Sequence, residues 1–171
     1  ASFSYTISDG AGASTAGSAA LDLTSVNDAP TSTPVTLAPH AEDGGPRLIT
    51  QAELLATATD IDGAALRATN LQLASGAGTL VDNGDGSWTY TPAANDDSAA
   101  SFSYSVVDGA GGSVAASAAL DLLPVNDAPT ITSDGGGANA TLQRSENASA
   151  GTVSTASDVE ADAIRYSIVG G

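Results

Sequence analysis

The chain has 171 residues, 20 of them Asp or Glu against four Arg and no Lys, and carries a formal net charge of −16. That balance excludes nucleic-acid binding through phosphate neutralisation, and the absence of Cys excludes a disulfide framework or a thiolate metal site. Aromatic residues are only 4 % of the chain, so Ala, Val and Leu must fill its core, and no apolar run approaches the roughly 18 residues of a membrane span.

In chain order, Phe3, Tyr5 and Ile7 alternate with Ser and Thr, the period of a half-buried strand. Ser8-Asp9-Gly10-Ala11-Gly12 reads as a Gly-rich turn. Ala16–Val26 reads as a second strand, with Leu21 and Leu23 inward and Asp22 outward. Val26-Asn27-Asp28-Ala29-Pro30 then forms a polar joint, and it recurs 99 residues later as Val125-Asn126-Asp127-Ala128-Pro129. Residues 1–30 and 100–129 share 22 of 30 positions. A period of one small domain, closed each time by a Pro-terminated joint, predicts beads on a string. Residues 1–30 are then the end of one bead, 31–129 a complete bead and 130–171 the start of a third. The chain reads as a piece of a longer protein whose export signal lies elsewhere.

The complete bead opens with a strand near Pro34–Ala38 and an acidic patch at Glu42-Asp43. Thr50-Gln51-Ala52-Glu53 has the form of a capping box, which predicts one or two helical turns over 51–56. Strands follow at Leu66–Leu73, Thr79–Val81 and Ser87–Thr91, the last two around a turn at Asp82–Gly86. Trp88 and Tyr90 share one face and are the expected core aromatics. Residues 92–99 read as a loop. Phe102, Tyr104, Val106, the Asp108-Gly109 turn and Val114–Leu122 repeat the first hairpin. In the third segment, strands are expected at Thr141–Arg144, Gly151–Thr155 and Ile164–Val169, with a polar turn at Ser145–Asn147. Short strands, frequent turns and almost no helix predict an all-β protein of β-sandwich domains.

Several of these motifs together resemble the bacterial cadherin-like (Ig-like) tandem repeats of large type I-secreted, RTX-adhesin-like surface proteins. In the complete bead they are the Glu42-Asp43 opening, the Ile49–Leu55 turn, Asp60-Ile61-Asp62-Gly63, the run Asp85–Asn95, Phe102-Ser103-Tyr104, Asp108-Gly109 and the joint. The third segment is similar to the animal cadherin pattern at Glu146-Asn147, Gly151-Thr152-Val153, Asp158-Val159-Glu160 and Tyr166-Ser167-Ile168. The resemblance implies seven-stranded Greek-key sandwiches with Ca2+ held where one domain meets the next. Carried over residue by residue, the first junction would use Asn27, Asp28, Asp60, Asp62 and Asp108. The second would use Glu42, Asp96 or Asp97, Asn126, Asp127, Asp158, Glu160 and Asp162. The joint is shorter than in animal cadherins, and an acidic element of theirs is reduced to Asp96-Asp97, which implies one or two ions per junction.

The chemistry of the acids admits two readings. They spread over the surface, as in a halophile, or they cluster as oxygen ligands for a hard divalent cation. The bland alternative for each Asp is a turn, where Asp is common. The Asp82–Gly86 stretch fails the spacing of an EF-hand loop. His40 stands alone, and no nucleophile elbow is present, so no catalytic activity is expected. Asn139-Ala140-Thr141 and Asn147-Ala148-Ser149 fit glycosylation sequons that a bacterial source would leave idle.

The expected function is a calcium-rigidified spacer of an extracellular bacterial adhesin, biofilm-matrix or fibre protein. Its expected partners are neighbouring repeats, identical chains in a fibre and a cell-surface or carbohydrate target. Two rivals remain at this point. One is a carbohydrate- or protein-binding module with Trp88 or Tyr90 as a stacking platform, the other an accessory domain of a larger extracellular enzyme.

Overall fold

Alternation of large apolar and small polar residues builds the central body. In the computed structural model, which describes residues 1–133 and 155–167, strands β1 (Ser2–Ser8) and β2 (Ser14–Ala20) precede the first joint. The body then runs β3 (Val35–Thr36), β4 (His40–Ala41), β5 (Arg47–Ile49), α1 (Gln51–Leu54), β6 (Arg67–Ser75), β7 (Gly78–Asp82), β8 (Trp88–Pro92), β9 (Ala100–Val107), β10 (Ser113–Leu120) and β11 (Leu122–Leu123). Two short strands follow the second joint, β12 (Thr130–Ile131) and β13 (Ala156–Ser157). Along β8, Trp88, Tyr90 and Pro92 are buried while Thr89 and Thr91 are only partly so. Along β9, Ala100, Phe102, Tyr104 and Val106 are buried.

These faces meet in an all-β sandwich. One sheet has the order β3-β10-β9-β6, the other β5-β8-β7, and β4 pairs with β11 beside them. Tyr90 from one sheet and Phe102 from the other pack edge to face, with ring centroids 5.2 Å apart and planes at 85°. Each buried tyrosine finds an acceptor, as a buried hydroxyl must. Tyr90 donates to the Ala77 carbonyl at 2.5 Å and Tyr104 to the Leu54 carbonyl at 2.7 Å.

The expected helical turn is present and carries the chain between the sheets. The Glu53 N–H donates to Thr50 Oγ1 and the Thr50 N–H to Glu53 Oε2, closing the capping box. Arg47 pairs with Glu53 at 2.6 Å. Gln51 then fastens the turn to β6, donating to the Ala68 carbonyl and accepting from its N–H, both at 2.7 Å. Burial raises the Glu53 carboxyl, but hydrogen bonds from Arg47 and Thr50 and the Arg47 charge outweigh it, so it lies below the usual range.

One pairing sets where the chain enters and leaves the body. The opening strand, β3 with β4, runs parallel to the closing strand, β10 with β11. Chain therefore enters the sandwich at one end and leaves from the other.

The hairpin β1–β2 repeats β9–β10 in register as well as in sequence. Phe3 pairs with Ala19 and Tyr5 with Gly17, as Phe102 pairs with Ala118 and Tyr104 with Ala116. Its surroundings differ. Phe3 is 55 % exposed and Phe102 1 %. The second strand also stops earlier than expected: it ends at Ala20, and Leu21 and Leu23 are exposed rather than inward. In the twin, the corresponding Leu120 and Leu122 are buried and β11 is held by β4; no such partner lies beside Leu21–Leu23 among the described residues.

The third segment departs from expectation too. Ile164–Ser167 forms no strand, and pairing falls instead at β12–β13. A strand needs a ladder partner, and none stands beside these four residues among those described. The expected strand at Thr141–Arg144, the turn at Ser145–Asn147, nearly all of Gly151–Thr155 and both sequons lie outside the described residues.

Candidate functional site

The Gly-rich turn after β9 builds the first element of the site. Gly109 and Gly111 take positive φ, 76° and 113°, a conformation glycine adopts without penalty. This turns the N–H groups of Ala110, Gly111 and Gly112 onto Asp108 Oδ1 at 2.7, 3.0 and 2.9 Å. Asp108 Oδ2 accepts from Gly112 N–H at 3.1 Å and from Asn27 Nδ2 at 2.7 Å. The Asn27 hydrogen bond, with those from the turn, outweighs burial and holds Asp108 below the usual carboxylate range. Asp108 is thus a clamp, with both oxygens engaged, that ties the first joint to the body. A Cβ on Gly112 would overlap its carboxylate and stand 2.9 Å from Ala29 Cα.

Asp60-Ile61-Asp62 forms the second element. Asp62 Oδ2 accepts from the Asp28 N–H at 2.7 Å. Asp60 Oδ1 accepts from the Asp62 N–H at 2.8 Å. Asp60 Oδ2 is buried and has no hydrogen-bond partner. Thr31 and Thr59 exchange backbone hydrogen bonds just beyond, at 2.8 and 2.9 Å, fixing the joint beside this loop. All five residues expected at the first junction are therefore linked by hydrogen bonds: Asn27 donates to Asp108 and to the Asp28 carbonyl, the Asp28 N–H to Asp62, and the Asp62 N–H to Asp60.

The second joint repeats this arrangement with other residues. Thr130–Ile131 pairs with Ala156–Ser157 as Thr31 does with Thr59. The Asp127 N–H donates to Glu160 Oε2 at 3.1 Å, as Asp28 does to Asp62. Asp158 Oδ1 accepts from the Asp162 N–H at 3.1 Å. Asn126 Nδ2 donates to the Asp127 carbonyl at 3.0 Å. Glu42, 5 % exposed, accepts from the Val125 N–H at 2.8 Å. Asn126, Asp127, Asp158 and Asp162 line a cleft of about 200 Å³, with Arg165 at its wall. Desolvation, then the charges of Asp43, Glu160 and Asp158 and a hydrogen bond with Glu160, push the Asp127 carboxyl above its ordinary value.

The loop 92–99 contributes a residue other than the two expected. Asp96 is held within its own loop, where hydrogen bonds from the Ser98 side chain and from the Ser98 N–H at 3.1 Å lower its pKa, and Asp97 is exposed. Asn95 reaches the joint instead, donating to Asp127 Oδ2 at 2.7 Å. Its φ of 58° is one that Asn tolerates better than most residues, and that preference is the signal that singles it out within Pro92–Asn95. Asp43 is a second addition, through its charge on Asp127. Trp88 is 3 % and Tyr90 0 % exposed, so their rings fill the core and offer no stacking platform. Among the described residues, no three His, Cys, Asp or Glu side chains stand close enough to hold a metal by themselves. No described helix is long and apolar enough to cross a membrane.

Residues 26–123, more than half of the chain, match the model of the cadherin-like domain. The chain belongs to that family. The match begins at the first joint and ends at β11, so it takes in the whole cadherin-like sandwich and the carboxylates of its entry end. No match is found among curated proteins. Among solved structures, an endo-fucoidan hydrolase of glycoside hydrolase family 107, MfFcnA4, is 20 % identical with a TM-score of 0.37; the alignment covers 72 % of this chain and 18 % of that one. A second, MfFcnA9, is 20 % identical with a TM-score of 0.35, over 71 % of this chain and 22 % of that one. The cadherin-like chain thus spans about a fifth of the length of either structure.

Proposed function

We propose that this cadherin-like chain is a calcium-stiffened spacer of a large extracellular bacterial surface protein, with a mechanical and adhesive role and no catalysis of its own. The reading extends to a type I-secreted adhesin, biofilm-matrix or fibre protein. The observation that carries it is Asp60 Oδ2, a buried carboxylate oxygen without a hydrogen-bond partner, at the point where the joint meets the body. A buried oxygen of this kind is costly, and a hard cation that takes oxygen ligands would satisfy it.

The donor set suits Ca2+ at the entry end. Asp60, Asp62 and Asp28 offer carboxylates, and Asn27 offers an amide oxygen. With fewer than three carboxylates converging, main-chain carbonyls and water would complete the six to eight oxygens calcium takes. At the exit end, Glu42, Asp127, Asp158, Glu160 and Asp162 are the corresponding residues. Bound calcium would turn the mutual repulsion of these acids into a shared attraction. The chain's own residues supply the rest: from the body, Asp108 holds the Asn27 side chain of the first joint and Glu42 the Val125 N–H of the second, and the parallel β3–β10 pairing puts entry and exit at opposite ends.

The test is thermal unfolding in millimolar calcium, in chelator and in high NaCl. Calcium should raise Tm by an amount NaCl cannot match, since a ligand at 100 times its Kd stabilises by about 2.7 kcal/mol. Asp60→Asn should remove most of the shift. Equal protection by NaCl would identify a halophile surface instead.

A further inference from the structure

We propose that a cleft walled by α1, β6 and the β7–β8 turn binds one neutral sugar ring through hydrogen bonds. The cleft holds about 240 Å³, and its polar lining is Gln51, Arg67, Thr69, Asn70, Asp82 and the edge of Trp88. Trp88 is the member that points to a ligand. It is 3 % exposed, and among the described residues its indole N–H donates to no acceptor, although a buried indole N–H usually has one. It is not one of the sealed polar atoms that lack a partner, so the N–H reaches the surface, and Trp88 does so in this cleft. Every wall comes from residues 51–88, inside the complete sandwich, and none from a joint or a terminal segment.

The walls are held in place without a ligand. Gln51 is fixed by its two hydrogen bonds to Ala68. Asn83 ties the β7–β8 turn to Ser87 and Thr89, at 2.9 and 3.1 Å. Gly86, at φ 87°, brings that turn against Gln51, where a Cβ would stand 3.4 Å from the side chain. Asp82 Oδ1 accepts from the Gly84 N–H at 2.8 Å, and Oδ2 stays open. Arg67 lines the same space without pairing with Asp82; Arg47–Glu53 is the one ion pair among the described residues. Asn70, at φ 55°, sits where the register of β6 shifts, and its side chain is unbonded among the described residues. An indole N–H, a guanidinium, an amide and a carboxylate oxygen thus surround a space smaller than the roughly 300–1,000 Å³ of drug-sized pockets. Each sugar hydroxyl both donates and accepts, so one ring of them can serve all four groups. An anion would meet Asp82 and a chain charge of −16, and a cation would meet Arg67; a neutral ring meets neither penalty. The face of Trp88 is buried and offers no stacking, so the expected affinity is millimolar.

The site uses no joint carboxylate and is independent of the calcium reading, so its test is run in chelator as well as in calcium. Trp88 is the chain's one tryptophan, and its indole N–H gives a single signal in a proton–nitrogen correlation spectrum. The full chain is titrated with D-glucose, D-galactose, D-mannose and N-acetyl-D-glucosamine. At least one of these sugars should shift the indole signal saturably and slow its exchange with water, in both media. Asp82→Asn keeps the acceptor for the Gly84 N–H, and Arg67→Met changes an exposed side chain, so both should leave Tm in place. Each should weaken sugar binding by about tenfold or more, the loss of one hydrogen bond to a charged group. An indole signal unmoved by all four sugars, or moved as much by glycerol at equal concentration, would overturn the proposal. So would variants that bind like the unchanged chain, or binding confined to calcium. A larger response to sodium sulfate than to any sugar would also overturn it and make the cleft an anion site around Arg67.

Discussion

Asp108 and Asp127 are both carboxylates at a joint, yet their surroundings push their pKa in opposite directions. Asp108 is lowered by Asn27 and by three N–H groups of its turn, after burial has been offset. Its stabilisation is therefore fully present above the unfolded Asp value of about 3.9 and is lost as pH falls through the lower folded value. Asp108→Asn should lower Tm at neutral pH, and the gap to the unchanged chain should narrow as the solution is acidified below about pH 4. A gap independent of pH would mean that the turn, and not the charge, supplies the effect. Asp127 is raised by desolvation and by Asp43, Glu160 and Asp158. Its ionised form strains the second joint at neutral pH, and acidification through the raised value relieves that strain. A cation there should displace the remaining proton. Calorimetric titration with calcium just above the usual Asp range, in buffers of different ionisation heat, should show proton release that vanishes at neutral pH and in Asp127→Asn. The sequence made these acids visible as a set, because Asn-Asp-Ala-Pro recurs and Asp60-Ile61-Asp62 is answered by Asp158-Val159-Glu160. It did not reveal that Asp108 has both oxygens occupied by N–H donors, since that depends on how the turn folds back. Nor did it rank Asn95 above Asp96 and Asp97, because charge draws attention in a sequence while backbone conformation decides which side chain reaches the joint.

The two hairpins separate what a strand pattern fixes from what its surroundings fix. Phe3/Tyr5/Ile7 and Phe102/Tyr104/Val106 carry the same alternation and form hairpins in the same register. Local sequence and a Gly-rich turn suffice for that much. Burial, in contrast, comes from the opposite sheet: Tyr90 meets Phe102 edge to face, and the Leu54 carbonyl accepts from Tyr104. This is also why a strand extending to Val26 was legible in the sequence yet does not form: Leu21 and Leu23 have the right pattern without the β4 strand that holds their counterparts. One matched pair of substitutions tests the distinction. Phe102→Ala removes a fully buried ring and should cost about 3–5 kcal/mol in the cooperative unfolding of the body. Phe3→Ala, in the same register on the exposed copy, should leave that transition within about 0.5 kcal/mol of its original value. Denaturant melts followed by Trp88 fluorescence report on the body alone, because Trp88 is the chain's one tryptophan and lies in its core. Equal losses from the two changes would show that the hairpin stabilises the body at a distance.

At the scale of the molecule, the parallel pairing of the first and last strands converts a fold into a direction. A sandwich whose entry and exit share one end can only make a cluster, however its joints are held. Here the exit joint begins at the far end of β11, and Glu42 from the opening of the body grips it by the Val125 N–H. The next segment then docks on it through Asp127 and Glu160. Copies of this body joined through the same joint should therefore advance by at least the length of the closing strand pair, roughly 35 Å per period at about 3.3 Å per residue, with the span of the joint added. Tandem arrays of two, four and eight copies of residues 26–124 would measure this. With calcium, the longest dimension from small-angle scattering should grow in proportion to the number of repeats. In chelator, repelling acids at unlocked joints should leave a bending chain whose size grows closer to the square root of that number. Sodium chloride separates screening from coordination: it weakens repulsion between exposed carboxylates but supplies no ligand cage, so it should shrink the chelated array and fail to straighten it. Linear growth in chelator alone would assign the stiffness to the Asp108 and Glu42 hydrogen bonds, with no part left for the metal.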